Sequence, residues 1–104
     1  MSHITVMVIS KDCTSVMNNL TGDYWDWWDE DNEQGKEIGG EPIDEFLTIG
    51  DLRKAWNNDR NAVIGEIGAV VEYGNYTDAN ESVLKQVLDA YDDGTWIKLY
   101  DAHQ

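Results

Sequence analysis

Positively charged residues are scarce in this chain. It has seven lysines and arginines against 21 aspartates and glutamates, which gives a formal net charge of −14 and a pI of about 4.1. DNA, RNA and anionic membranes repel such a polyanion, so direct binding to any of them is not expected. A basic protein surface would attract the chain, and added salt would weaken that attraction.

Cysteine is nearly absent as well, because Cys13 is the only one in the sequence. An intrachain disulfide is therefore impossible, which fits a reducing compartment such as the cytoplasm. The first ten residues lack the basic region and the long apolar run of a signal peptide. No apolar run is long enough to span a bilayer, so we expect a soluble cytoplasmic protein.

Apolar residues make up 41 % of the chain, including five tryptophans and five tyrosines. That content is sufficient for one hydrophobic core in 104 residues, and we expect residues 1–104 to form a single domain. Residues 4–9 are β-branched and nearly all apolar, which predicts a strand covered on both faces. Residues 10–22 are polar and predict a loop with one short helical turn. Residues 23–45 have no clear period and predict a long acidic loop or a short strand and turn.

Three helices are predicted in the second half. Thr48 and Asp51 have the spacing of a capping box, and the apolar residues that follow lie on one helical face. Residues 62–73 have an apolar pattern that favours a helix, although two glycines weaken it. Residues 77–91 carry a continuous apolar stripe.

For the last of these helices, Thr77 or Asp78 is the expected N-cap. Gly94 is the expected left-handed residue after its end. Residues 96–100 alternate large apolar groups with a lysine and predict a final strand. The predicted fold is α+β: a small sheet that includes both terminal strands, two or three helices packed on one face, and a long acidic Trp-rich insert. The terminal strands are expected to pair or lie close together.

Between Asp23 and Asp51 the chain has eleven carboxylates and one cation, Lys36, around three tryptophans. Such a density of like charge destabilises a compact state, so we expect a function that requires it. Proteins that hold DNA array Lys and Arg along a backbone with one negative charge per about 1.7 Å. Carboxylates on a folded scaffold can present a similar array, with aromatic residues as anchors. The predicted partner-binding residues are Asp23, Trp25, Asp26, Trp27, Trp28, Asp29, Glu30, Asp31, Glu33, Glu37, Glu41, Asp44 and Glu45.

The chain begins Met-Ser-His-Ile-Thr-Val-Met-Val-Ile, has a Trp-rich cluster at residues 25–28 and Ile-Gly-Gly at 38–40, and nears its end with Asp-Ala-His at 101–103. These segments resemble a family of bacteriophage proteins that begin Met-Ser-His-aromatic-Thr-Val-Leu-Val. In that family Ile-Gly-Gly closely follows the aromatic cluster and leads into Arg-Trp, whereas here an acidic insert intervenes and Glu41-Pro42 follows. The resemblance implies phage origin. The composition is also similar to that of phage DNA-mimic inhibitors of host defence.

The resulting hypothesis is a phage-encoded DNA mimic, of the anti-CRISPR or anti-restriction type, that acts in the host cytoplasm. We expect no enzymatic activity, no cofactor and no metal, and a homodimer is one possibility. One alternative is a metal-dependent enzyme or small-ligand binder in which His3, Asp101 and His103 hold zinc or iron. Asp29, Asp31 and Glu33 have the alternating oxygens of a calcium loop, without its glycine at the sixth position. The remaining alternative is a protein-interaction module that binds through exposed tryptophans.

Overall fold

The computed structural model describes residues 3–31 and 35–104, and a five-stranded sheet is its centre. The sheet strands are β1 (His3–Ile9), β2 (Trp27–Glu30), β5 (Ile67–Glu72), β6 (Asn75–Asp78) and β7 (Ile97–His103), and a separate hairpin is formed by β3 (Glu37–Ile38) and β4 (Glu41–Pro42). The strand order is β2-β7-β1-β5-β6, in which only the β1–β5 pair is parallel. The predicted pairing of the terminal strands is confirmed, since β1 and β7 are antiparallel neighbours from His3–His103 to Ile9–Ile97.

Helices cover both faces of this sheet. They are α1 (Cys13–Leu20), α2 (Ile49–Asn58), α3 (Arg60–Glu66) and α4 (Glu81–Ala90). The last three pack on one face, over a core that includes Met7 and Leu99. Helix α1 packs on the other face, with Val6 and Tyr100. The predicted α+β class is confirmed, with three helices on one face of the sheet. Helix α1 lies on the other face and is longer than the single turn predicted there.

The predicted capping box at the start of α2 is present. The Thr48 hydroxyl accepts a hydrogen bond from the Asp51 backbone N–H at 3.4 Å, and the Asp51 carboxylate accepts one from the Thr48 N–H at 2.8 Å. These bonds satisfy two backbone donors that a helix start would otherwise leave unpaired. In the residues that the structure describes, no helix is long and apolar enough to cross a membrane.

The predicted helix over residues 62–73 is wrong in its second half. Helix α3 ends at Glu66, and the chain continues directly as β5 beside β1. Strand β5 is buried on both faces, so its apolar residues form a run without the alternation of a half-exposed strand. A run of this kind fits a helix and a buried strand equally well.

The predicted start of the following helix is also wrong. Residues 75–78 form β6, and α4 begins later with Asn80 as its N-cap, whose side chain accepts a hydrogen bond from the Val83 N–H at 2.9 Å. Helix α4 ends at Ala90 with an extended residue after it, and Gly94 does not have a positive φ. Thr77 and Asp78, the predicted N-cap candidates, are therefore held in β6 by pairing with β5.

Candidate partner-binding surface

The three tryptophans of the acidic segment have different environments. Trp25 is 2 % exposed and packs in the core beneath α1, where its indole N–H donates to the Thr21 hydroxyl at 3.0 Å. Trp28 is half-buried against the same core. Trp27, which follows the alternation of β2 to the opposite face, is 45 % exposed and stacks on the His103 ring at 4.7 Å between ring centroids. A partner can therefore contact Trp27, whereas Trp25 is assigned to the core instead of the predicted interface.

An exposed aspartate of the edge strand β2, Asp29, faces a half-buried aspartate of β7, Asp101. Asp29 lies directly opposite Asp101 of β7, and like charges in this position destabilise a sheet. The neighbouring Glu30 accepts a hydrogen bond from the Lys98 ammonium at 2.7 Å. That hydrogen bond raises the pKa of Lys98 above its ordinary value. Glu30 is therefore partly neutralised. Asp29 and Asp101 place two carboxylates side by side, and the His3 Nδ1 atom lies 3.2 Å from both oxygens of Asp101.

These carboxylates border a cleft of about 1070 Å³ between the sheet end and α3. Its charged and imidazole side chains come from distant parts of the sequence: His3, Asp29, Glu30, Asp31, Lys36, Glu66 and Asp101. Five carboxylates and one lysine give this lining a formal charge of −4 with His3 neutral. The cleft is thus a concave, strongly negative site held by secondary structure on both sides.

Within the cleft, Asp31 has a structural role. It is 8 % exposed, and the Lys36 ammonium lies 3.7 Å from one of its oxygens. The same ammonium is 2.7 Å from the Glu66 carboxylate at the end of α3. A buried carboxylate requires a charged or hydrogen-bonding partner. Lys36 therefore connects the acidic segment to α3.

The second part of the acidic segment is anchored to the protein by its own apolar residues. Ile38, Ile43 and Phe46 are buried in the core under α2 and α3. The Asn58 side chain at the end of α2 donates to the Gly39 carbonyl at 2.7 Å. Of the predicted residues here, Glu37, Asp44 and Glu45 are exposed and Glu41 is half-buried. Their carboxylates are attached to a docked hairpin and a short 3-10 turn (Ile43–Glu45).

The remaining predicted residues lie at the end of the sheet or outside the description. Asp23 and Asp26 are exposed, and the Asp26 N–H donates to the His103 carbonyl at 2.7 Å. Glu33 lies outside the described residues, so its prediction has no structural outcome. Asp29 belongs to a paired strand, and the calcium-loop hypothesis needs a loop at this position.

The terminal histidines do meet in space. The His3 Nδ1 atom lies 3.2 Å from both oxygens of Asp101, and the two histidine rings are 4.6 Å apart in an edge-to-face arrangement. His103 is 8 % exposed beneath Trp27. Over residues 3–31 and 35–104, however, no three His, Cys, Asp or Glu side chains are placed to hold a metal ion. The residues of the hypothetical metal site are therefore close to one another, but they are not arranged to coordinate a metal ion.

No protein-family model matches this chain, and neither a curated protein nor a solved structure matches it. Its chemistry must therefore be inferred from its own residues. The sequence pattern identified the β2 part of the cleft, but it did not include Glu66 and Asp101 among the partner-binding residues. For Asp101 a signal existed: it is the one charged residue between the predicted final strand and the histidine at 103.

Proposed function

We propose that this chain is a phage-encoded DNA mimic that binds the nucleic-acid-binding surface of a host defence protein in the host cytoplasm. The target would be a CRISPR component, a restriction enzyme or a similar protein whose Lys and Arg side chains are arrayed for phosphates. Binding would occlude that surface and would need no chemistry. The observation that carries the proposal is the carboxylate-lined cleft, with the opposed Asp29–Asp101 pair at its edge.

Fixed spacing between the charges supports this function. Sheet geometry sets the Cβ atoms of the directly opposed Asp29 and Asp101 about 5 Å apart. The charges are positioned before a partner arrives, so binding does not have to order them at an entropic cost. A disordered acidic tail would have the same charge without this spacing. The docked hairpin and the paired strand β2 are thus the features that favour mimicry over a solvated acidic loop.

Exposed Trp27 supports the same interpretation. Its indole is stacked on His103 and lies next to the His3 ring at 6.0 Å, so its orientation is held. Arginine guanidinium groups stack on aromatic faces and form bidentate contacts with carboxylates. A side chain that evolved to hold a phosphate can therefore contact both Trp27 and the cleft carboxylates. This pairing favours an arginine-rich partner surface.

The test is competition with labelled duplex DNA for purified restriction and CRISPR effector enzymes. The wild-type chain should displace DNA at low salt, and displacement should weaken as salt rises because the contacts are ionic. A cleft variant removes three negative charges with little change of shape: Asp29→Asn, Glu66→Gln and Asp101→Asn. We expect its inhibition constant to rise at least about tenfold, because partly desolvated charge pairs dominate such an interface.

A matched control removes three negative charges from residues that do not line the cleft: Asp78→Asn, Glu81→Gln and Asp89→Asn. This control variant should inhibit within about threefold of the wild type, through the smaller long-range attraction alone. Circular dichroism of both variants should show that they fold. Equal inhibition by the two variants would contradict a specific role for the cleft.

A further inference from the structure

The end of the sheet opposite the cleft has an exposed apolar surface. Leu47, Tyr73 and Trp96 are 49 %, 64 % and 58 % exposed. Trp96 lines two adjoining hollows, one shared with Leu47 and the other with Tyr73, so the three side chains surround one region of the surface together with polar residues. We call these three residues the apolar pole. Contiguous exposed apolar surface rimmed by polar residues marks an interaction site.

The backbone holds the apolar pole in place. The Leu47 carbonyl accepts a hydrogen bond from the Ile97 N–H at 3.0 Å, and the Leu47 N–H donates to the Asp51 carboxylate at 2.8 Å. The Tyr73 N–H donates to the Ile9 carbonyl at 3.1 Å. Aromatic side chains on a fixed backbone lose little entropy when a partner binds. The patch therefore has the preorganisation of an interface.

Tyr73 also occupies a backbone conformation that disfavours it. Tyr73 and Gly74 connect β5 to β6 as a two-residue turn with φ of +48° and +90°, which is the type I′ arrangement. Asn or Gly fits the first position of this turn, whereas an aromatic residue there is strained. The Tyr73 ring lies 6.4 Å from the Tyr91 ring between centroids, but Tyr73 is still 64 % exposed, so packing within the chain covers only part of it. A strained backbone is thus combined with an aromatic side chain that a partner can still cover.

We propose that a second copy of this chain packs against the apolar pole, in a two-fold symmetric dimer. The rim of the hollow between Tyr73 and Trp96 includes the exposed residues Lys11 and Asp92. In a two-fold contact the same patch meets itself, so Lys11 of each copy can face Asp92 of the other. The surface is therefore complementary to itself in charge as well as in apolar character. The other hollow is also mixed in charge, since Lys11, Asp12 and Lys98 line it, so a partner of one sign has no advantage there over a second copy.

The negative charge of the two clefts does not prevent this association. Strand β1 runs from His3 in the cleft to Ile9 beside the apolar pole, and its seven residues span about 20 Å. The Debye length at physiological salt is about 8 Å, so solvent screens the two clefts from each other. Both clefts then face outwards from the dimer. The inference is independent of what the clefts bind.

Sedimentation equilibrium of the full chain over a range of concentrations tests the proposal. We expect a reversible monomer–dimer equilibrium that becomes tighter when salt rises from about 0.1 M to about 1 M, because repulsion is screened while the apolar contact remains. Trp96→Ser should weaken dimerisation at least about tenfold, as expected for a central aromatic anchor. Tyr73→Asn should weaken it too, while it maintains or raises the melting temperature, since Asn suits the turn.

Trp27→Ser is the matched control, because it removes an exposed tryptophan at the opposite end and should leave the dimer constant unchanged. A chain that stays monomeric at every concentration would overturn the proposal. Equal weakening by Trp27→Ser and Trp96→Ser, or assembly beyond a dimer, would overturn it as well. Trp96→Ser should still displace DNA from a defence enzyme, so loss of the dimer and loss of the proposed function are separate outcomes.

Discussion

Replacement of Gly39 by alanine should detach the acidic hairpin from α2. Gly39 is buried with φ of +58°, and an added Cβ would lie 2.5 Å from the carbonyl oxygen of Ala55. The obstacle is helix backbone, so no side-chain rotation relieves the clash. The hairpin that carries Glu37 and Glu41 must then shift, or α2 must distort.

Two terms contribute to the expected loss of stability. An alanine in the left-handed region costs about 1–2 kcal/mol. Forcing a methyl group into packed structure adds about 1–3 kcal/mol. Gly22→Ala is the control for the first term, because Gly22 also has a positive φ (+96°) but has nothing within 4 Å of an added Cβ. Alanine at φ of +96° lies outside the left-handed region at about +57° and costs at least as much there as at Gly39. The difference between the two variants is therefore a minimum value for the clash, whose expected size is about 1–3 kcal/mol.

Thermal unfolding followed by tryptophan fluorescence measures this difference. One kcal/mol shifts the melting temperature of a domain of this size by about 4–8 °C, so Gly39→Ala should melt at least about 4 °C below Gly22→Ala. Competition assays should show weaker DNA displacement by Gly39→Ala, since the hairpin carboxylates are no longer held. Equal melting temperatures for the two variants would refute the close packing of Gly39 on α2.

Two further predictions concern the aromatic residues. Trp25→Ala should lower the free energy of unfolding by about 3–5 kcal/mol because Trp25 is buried, whereas Trp27→Ala should lower it by about 1 kcal/mol or less, as urea titrations can measure. Burial and a hydrogen bond to Glu72 raise the pKa of Tyr91 from 10.0 to about 12. The unfolded chain then loses this proton before the folded chain does, so stability should fall as pH rises from about 10 towards about 12. In Tyr91→Phe the fall in urea midpoint between these pH values should be smaller than in the wild type; an identical fall would contradict the assignment.

Short sequence patterns were sufficient to predict a structural element wherever the element depends on neighbouring residues alone. The β-branched run of β1 and the capping box at Thr48 were both identified from the sequence. Strand β5 was not identified from the sequence, because a strand that is buried on both faces lacks the polar alternation that distinguishes a strand from a helix. Its identity depends on parallel pairing with β1, a contact between segments about sixty residues apart in the sequence.

The sequence predicted that the candidate site is rich in carboxylates, but it did not predict all of the residues that form the site. The excess of carboxylates located β2 and the hairpin, since charge density can be counted along a chain. Glu66 and Asp101 join the cleft because α3 ends there and because β7 pairs with β2. Trp25 is buried and Trp27 is exposed because tertiary packing places them in different environments at the end of the sheet.

Added salt can distinguish the roles of the carboxylates, because it should raise the stability of the fold but weaken binding to a basic partner. Screening reduces the repulsion within the cleft, as between Asp29 and Asp101, so added salt should raise the stability of the fold. The same screening would weaken attraction to the proposed basic partner and would strengthen the proposed contact between two copies at the apolar pole. A chain whose acidic residues served only to keep it dissolved would gain stability without any change in partner binding. Opposite responses of fold stability and partner binding to added salt would therefore support a bound state in which cations of a partner neutralise the carboxylates. Binding that is unaffected by salt would contradict it.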